Sequence, residues 1–343
     1  MFKLVFLFLV SISPIQTLQA FDILQPLPDS PITPADKPVT PAKSALGKQL
    51  YFDKRLSGDG QYACQSCHDL TQGGDDNGRV TRLADRNIRR SAPPIWNSAY
   101  QTVLFWDGRA KSLEIALEEH LFDPNIMAMK SEKRLENKLT AIPGYVSGFK
   151  AAFDGKSLDS DKIIDALASF VRSLKTPGAP IDRYLQGDKH AISAAAKRGE
   201  TLFNDTGCLA CHFGINLAGP APGPAFGMGD GFYELFPNYL GSQYDRRYDL
   251  TSDDGRIQVT GDPGHRYMWR VPPLRNIEYT APYFHNGSVD TLEEAVRVMA
   301  RTQLNKSLNK KEISDIVAFL QAFSGHVPEM TLPRVPDTVK KQH

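Results

Sequence analysis

Two runs of five residues, Cys64-Gln65-Ser66-Cys67-His68 and Cys208-Leu209-Ala210-Cys211-His212, use all 4 cysteines of the chain. In each, two thiols stand three positions apart and a histidine follows at once. This is the attachment pattern of a c-type haem. The thiols of Cys64 and Cys67, or of Cys208 and Cys211, add to the haem vinyl groups, and His68 or His212 gives an axial nitrogen to the iron. Two disulfides, or zinc held by C-x-x-C pairs, would also use the cysteines, but neither accounts for the adjacent histidines.

Composition narrows the setting. With 343 residues, 41% hydrophobic and 23% charged, the chain is globular in character and long enough for two domains. A formal net charge of +1 argues against a nucleic-acid partner, which calls for a basic excess. Residues 1–20 read as a secretory signal peptide: Lys3, the apolar stretch Leu4 to Val10, then Leu18-Gln19-Ala20 before the cleavage point. Ser11 to Gln19 is too polar for an anchor, and no later segment is long and apolar enough to span a bilayer. The expectation is an exported protein with no stable membrane insertion. Haem c is attached outside the bacterial cytoplasm, so the periplasm is the expected compartment.

Residues 21–43 form a proline-rich arm, with Pro26, Pro28, Pro31, Pro34, Pro38 and Pro41, and a helix is predicted from near Ser44. Gly47, Leu50, Tyr51 and Asp53 precede the first haem run; Gly199, Leu202, Phe203 and Asp205 precede the second in the same frame. This weak repeat suggests two related haem domains, residues 44–177 and 178–329, each opening with a helix that covers its haem. Residues 73–90 read as a loop. Apolar spacing and caps predict helices over 112–122, 132–141, 159–174, 291–299 and 310–323, with Ile142-Pro143-Gly144 ending the second and Ser307 or Asn309 capping the last. Residues 330–343 read as a polar tail. The fold class expected is mainly α: two cytochrome c-like haem domains with long irregular loops.

These residues resemble the bacterial di-haem cytochrome c peroxidases and their MauG-like relatives over nearly the whole mature chain. Besides the two haem runs, the likeness rests on Leu46-Gly47-Lys48 to Leu56-Ser57-Gly58, Phe105-Trp106-Asp107-Gly108-Arg109, Ile142-Pro143-Gly144-Tyr145, Val271-Pro272-Pro273-Leu274-Arg275-Asn276, and Thr280-Ala281-Pro282-Tyr283-Phe284-His285-Asn286-Gly287. The resemblance implies that His68 holds the peroxide-binding haem and the 44–177 domain is peroxidatic. It implies that His212 holds the electron-receiving haem, with Met299 as second ligand where MauG-type proteins have tyrosine. A sulfur ligand raises the reduction potential of iron relative to a second imidazole. Trp106 matches the family's tryptophan between the haems. Thr280 and Pro282 match positions whose carbonyls bind calcium between the haems, although Ser91 stands where an asparagine ligand is expected.

Two departures fall on the peroxide side. His120 and Ile126 replace the family's proline and glutamate, and no histidine lies between His68 and His120, where many relatives carry one that blocks the iron. Ile126 cannot move a proton. His120 can act as acid and base, ligate iron directly, or be structural. His285 is read as structural or as a haem-edge residue.

The function expected from the resemblance is reduction of hydrogen peroxide to water with electrons from a small cytochrome c or copper protein, using two covalent haems c and calcium; the family likeness is compatible with a homodimer. The alternatives are a MauG-like oxidase acting on a protein substrate and, suggested by Ile126, a non-catalytic di-haem electron carrier or sensor.

Overall fold

The computed structural model describes residues 23–337 except 82, 84, 85, 87 and 224–226. The signal peptide and the last residues of the tail lie outside the described residues. Helices dominate: α1 (Pro41–Tyr51), α2 (Leu113–Phe122), α3 (Glu132–Thr140), α4 (Pro143–Ala152), α5 (Ser160–Ser173), α6 (Pro180–Leu185), α7 (Ala194–Thr206), α8 (Gln243–Arg247), α9 (Ile257–Thr260), α10 (Leu292–Leu304) and α11 (Lys310–Gln321). Strands β1 (Tyr233–Leu235) and β2 (Met268–Arg270) pair antiparallel, Tyr233 opposite Arg270. Long irregular stretches link these elements.

The helices start where a short polar side chain can accept the free amides of a first turn. Thr40, Ser112, Ser131, Asp159, Ser193, Thr291 and Asn309 all do so. Three boundaries differ from the sequence reading. α1 begins at Pro41, because Thr40 caps it and proline suits the first helical position. For the same reason Pro143 opens α4 besides ending the segment before it. α10 runs on to Leu304, closed by Asn305 in the left-handed conformation.

Two cores form on either side of residues 175–178. One gathers Leu46, Leu50, Tyr145, Phe149, Leu167 and Phe170; the other gathers Phe203, Val298, Ile316, Phe319 and Phe323. Each is built on one close helix crossing, α1 on α5 and α7 on α11. A Cβ placed on Gly47 would lie 1.9 Å from the carbonyl oxygen of Ala166, and one on Gly199 would lie 1.9 Å from that of Asp315. The glycine of the shared frame is therefore what lets each helix pair approach.

The correspondence continues beyond the haem runs. Asn97 and Asn276 both adopt left-handed geometry and open short 3-10 turns, Ser98–Tyr100 and Ile277–Tyr279. Bridges follow at Leu104 with Ala110 and at Tyr283 with Val289, enclosing Phe105 and Phe284 at positive φ. α2 and α10 then begin after the caps Ser112 and Thr291. Across this stretch the two halves align residue for residue: Trp106 falls on His285, and His120 on Met299.

The chain ends cross over. Leu24 bridges Gly214 and packs against the second core, and the Leu27 amide donates to Asp182 Oδ1 at 3.0 Å. Val327 and Met330 pack against the first core, where the carbonyls of Arg334 and Pro336 accept from Gln49 Nε2 (3.1 Å) and Arg55 Nη2 (2.8 Å). The described part of the sequence-predicted polar tail is thus attached to the first half, because its carbonyls meet donors that α1 and the turn after it leave exposed.

Candidate functional site

Each haem run folds as a tight 3-10 turn, in which the histidine amide donates to the first cysteine carbonyl: His68 to Cys64 and His212 to Cys208, both at 3.0 Å. The turn brings two thiols and an imidazole to the wall of one cavity. Cys64, Cys67 and His68 line a cavity of about 490 Å³ in the first half; Cys208, Cys211 and His212 line a second, largely apolar one.

Both histidines are buried and held through Nδ1, His68 to the Gly74 carbonyl at 3.2 Å and His212 to that of Leu217 at 2.9 Å. This leaves Nε2 as the free nitrogen, the arrangement that orients a ligating imidazole. Burial lowers the pKa of each to about 4. They are neutral and able to bind a metal at physiological pH. Burial also pushes the thiols up, Cys64 to about 12 and Cys67 and Cys211 to about 11. All four are free thiols, and no group of three or more metal-binding side chains forms among the described residues, as a zinc site would need. Paired thiols, one oriented imidazole and a roomy cavity fit a covalent haem in each half.

His120 lies on the last turn of α2 and faces the cavity of His68, the two ring centroids 6.0 Å apart. Its Nδ1 donates to the Ala116 carbonyl at 2.7 Å. Phe105 stacks on it (4.8 Å, 12° between planes), and the Arg109 guanidinium sits 3.5 Å from the centre of the Phe105 ring. Arg109 is itself fixed by Asp107 at 3.0 Å and Glu119 at 2.7 Å. Buried Arg172 of α5 donates to Glu114 of α2 at 2.9 Å, anchoring that helix. Burial lowers the His120 pKa, with the Arg109 charge acting in the same direction. Ile126 lines the same cavity and packs against the first core; Asp123, at the C-cap of α2, faces the cavity beside it.

Trp106 lines both cavities, its indole N–H donating to the Ser91 carbonyl at 2.8 Å. It meets His285 edge to face at 6.5 Å, and His285 stacks on Trp269 at 4.2 Å. Arg90 lies over Trp269 and pairs with Asp107 at 2.5 Å and Asp253 at 2.8 Å. Met299, on α10, faces the cavity of His212.

Thr280, Pro282, Ser91 and Asp75 also border that second cavity. The Ser91 hydroxyl donates to the Gly78 carbonyl at 3.2 Å, whereas the buried Asp75 Oδ1 has no hydrogen-bond partner among the described residues. A Cβ on Gly73 would stand 2.6 Å from the Tyr279 carbonyl oxygen and 2.9 Å from Asp75 Oδ1, so the two oxygens converge on one point. Burial raises the Asp75 pKa to about 7.

Sequence reasoning named His68 and His120, which line the first cavity, His212 and Met299, which line the second, and Trp106, which borders both. It missed Phe105 and Arg109 as the clamp on His120, Asp123 on the cavity wall, Trp269 behind His285, and Asp75. Of these, only the Phe105 to Arg109 run carried a signal, since it was already singled out as a motif.

A family model described as di-haem cytochrome c peroxidase matches residues 41–190, and one described as RoxA-like, cytochrome c-like matches 268–306. The chain is 38% identical to the cytochrome c551 peroxidase of Nitrosomonas europaea, over 92% of this chain and 91% of that one. It is 36% identical to the cytochrome c551 peroxidase of Pseudomonas aeruginosa, over 93% and 89%. Among solved structures, a MauG-like protein associated with microbial copper homeostasis superposes with a TM-score of 0.73 at 28% identity, covering 89% of this chain and 95% of that one.

Proposed function

The chain belongs to the di-haem cytochrome c peroxidase family, and from that premise we propose that it reduces hydrogen peroxide to water in the periplasm with two electrons from a small cytochrome c or copper protein. One observation carries the reading: Trp106 borders both haem cavities. An indole at that point gives electrons a path from the half that receives them to the half that meets peroxide.

Cys64 and Cys67, and Cys208 and Cys211, would hold the two haems covalently, and these would supply the one-electron chemistry that O–O cleavage needs. The protein's residues divide the remaining work. Burial keeps the rings of His68 and His212 neutral, and a backbone carbonyl holds the single ring proton on Nδ1, so Nε2 carries none. Met299 supplies a thioether to the second cavity, which favours a high-potential, electron-accepting site and the peroxidase reading over the MauG-like oxidase. Asp123 is the carboxylate placed to relay protons where Ile126 has none to offer. Arg90 and Arg109, locked by Asp107, Asp253 and Glu119, keep fixed positive charge beside the first cavity.

Calcium belongs to the same proposal. Asp75 supplies the acidic oxygen that Ser91 lacks, close to the Tyr279 carbonyl oxygen, and oxygen ligation suits that ion.

The test is to half-reduce the protein, add peroxide, and follow the Soret band and the oxidation of a reduced cytochrome c. A spectral change with two donor equivalents consumed per peroxide is expected. An unchanged Soret band and an unoxidised donor would reject peroxidase activity in favour of a carrier or sensor.

A further inference from the structure

We propose that His120 is the second axial ligand of the iron that His68 holds, so that the first haem carries a histidine on each face. This deepens the peroxidase reading and rests on its assignment of a haem to Cys64, Cys67 and His68.

Spacing decides between the roles open to His120. A metal–imidazole bond is about 2.0–2.1 Å and an imidazole nitrogen lies about 1.1 Å from its ring centre, so two imidazoles on opposite sides of one metal have centroids about 6.2–6.4 Å apart, within a few tenths of an ångström of the spacing here. The observed separation of His68 and His120 is 6.0 Å. A general acid or base needs a hydrogen-bond distance of about 2.6–3.2 Å to the atom it serves, and that atom itself needs room between ring and metal. This spacing leaves no room for a substrate there.

The free nitrogens agree. Nδ1 of His68 is engaged with Gly74 and Nδ1 of His120 with Ala116, which leaves Nε2 on each ring for a metal. The ring is also held as ligands are held, by the stack of Phe105 and Arg109 and the ion pairs of Arg109.

The internal repeat supplies an independent argument. From Asn97 to the last turn of α2, and from Asn276 into α10, matched turns, bridges and helix starts put His120 in the first half where Met299 stands in the second. The same position on the same helix thus offers a metal-binding side chain to each cavity. Peroxide then reaches the first iron only once His120 has moved off it, a conformational step that Ile126 and Asp123 border.

The full-length di-haem protein, oxidised and without peroxide or donor, is examined by electron paramagnetic resonance and near-infrared magnetic circular dichroism. Two low-spin ferric centres are expected, one with bis-imidazole character. His120→Ala should lose that centre and gain a high-spin one, and added imidazole should restore the low-spin signal. His120→Met, which keeps a side chain of similar bulk, should replace the bis-imidazole signature with a second sulfur-to-iron charge-transfer band and decides the matter if the alanine variant does not fold. A high-spin centre in the wild-type protein, or a bis-imidazole signal that survives in His120→Met, would overturn the assignment. Neither readout uses turnover: a bis-imidazole centre in a protein inert to peroxide even when half-reduced would reject the peroxidase reading and leave the ligand in place.

Discussion

Gly47 and Gly199 make the same contact in the two halves of the molecule, each pressed against a backbone carbonyl of the partner helix with a phenylalanine Cβ close by, Phe170 in one and Phe319 in the other. Neither site has space for a methyl group. Gly47→Ala and Gly199→Ala are each expected to destabilise the protein by about 2–3 kcal/mol, because the helix pair must separate to admit the new carbon. Urea unfolding of the haem-loaded protein checks this. The loss should first appear in the haem of the altered half.

Met299→His should lower the potential of the second haem. Exchanging a thioether for an imidazole shifts the potential downward, expected here by ~0.1 V or more within the roughly 0.8 V span that axial ligands cover. A redox titration that monitors each haem reads the shift directly, and oxidation of the donor should slow with it. An unchanged potential would remove Met299 from the iron.

Asp75 makes the calcium assignment testable. A chelator should lower the melting temperature of the wild-type protein, with added calcium restoring it. In Asp75→Asn the same chelator should have little effect, because the charged oxygen is gone. Equal sensitivity of both proteins would place any calcium elsewhere.

Acid stability of the second half turns on Asp315. Its hydrogen bond to Arg198, then that to Lys311, hold the carboxyl well below its ordinary value of 3.8, at about 2. The folded state therefore binds the proton more weakly than the unfolded one. The resulting stabilisation is complete above pH 3.8 and is lost as the pH falls through about 2. Asp315→Asn should show a shallower loss between those values in acid unfolding followed by helical circular dichroism.

How far the sequence could be read depended on how local each feature was. Covalent attachment demands contiguous residues, so Cys64 to His68 and Cys208 to His212 were legible at once. Helix starts such as those behind Ser112 and Asn309 were legible through their caps, whereas Thr40 opened α1 ahead of Ser44 and Pro143 served as both an end and a beginning. Trp106 and Met299 were reached through family motifs. The clamp of Arg109 on Phe105 on His120 was not legible, since it joins a reversed turn to the far end of α2. Asp75 escaped notice because its importance lies in a missing partner, which only a folded surrounding reveals. The ligand role proposed for His120 rests on a distance between rings, a quantity that residue spacing cannot supply.

The crossed ends carry a consequence for biogenesis. Residues 24–27 rest on the second half and residues 327–336 on the first, so each half is finished by the opposite terminus of the chain. A chain made amino end first cannot complete its first half until residues 327–336 have been delivered, by which point both cysteine pairs have already been made.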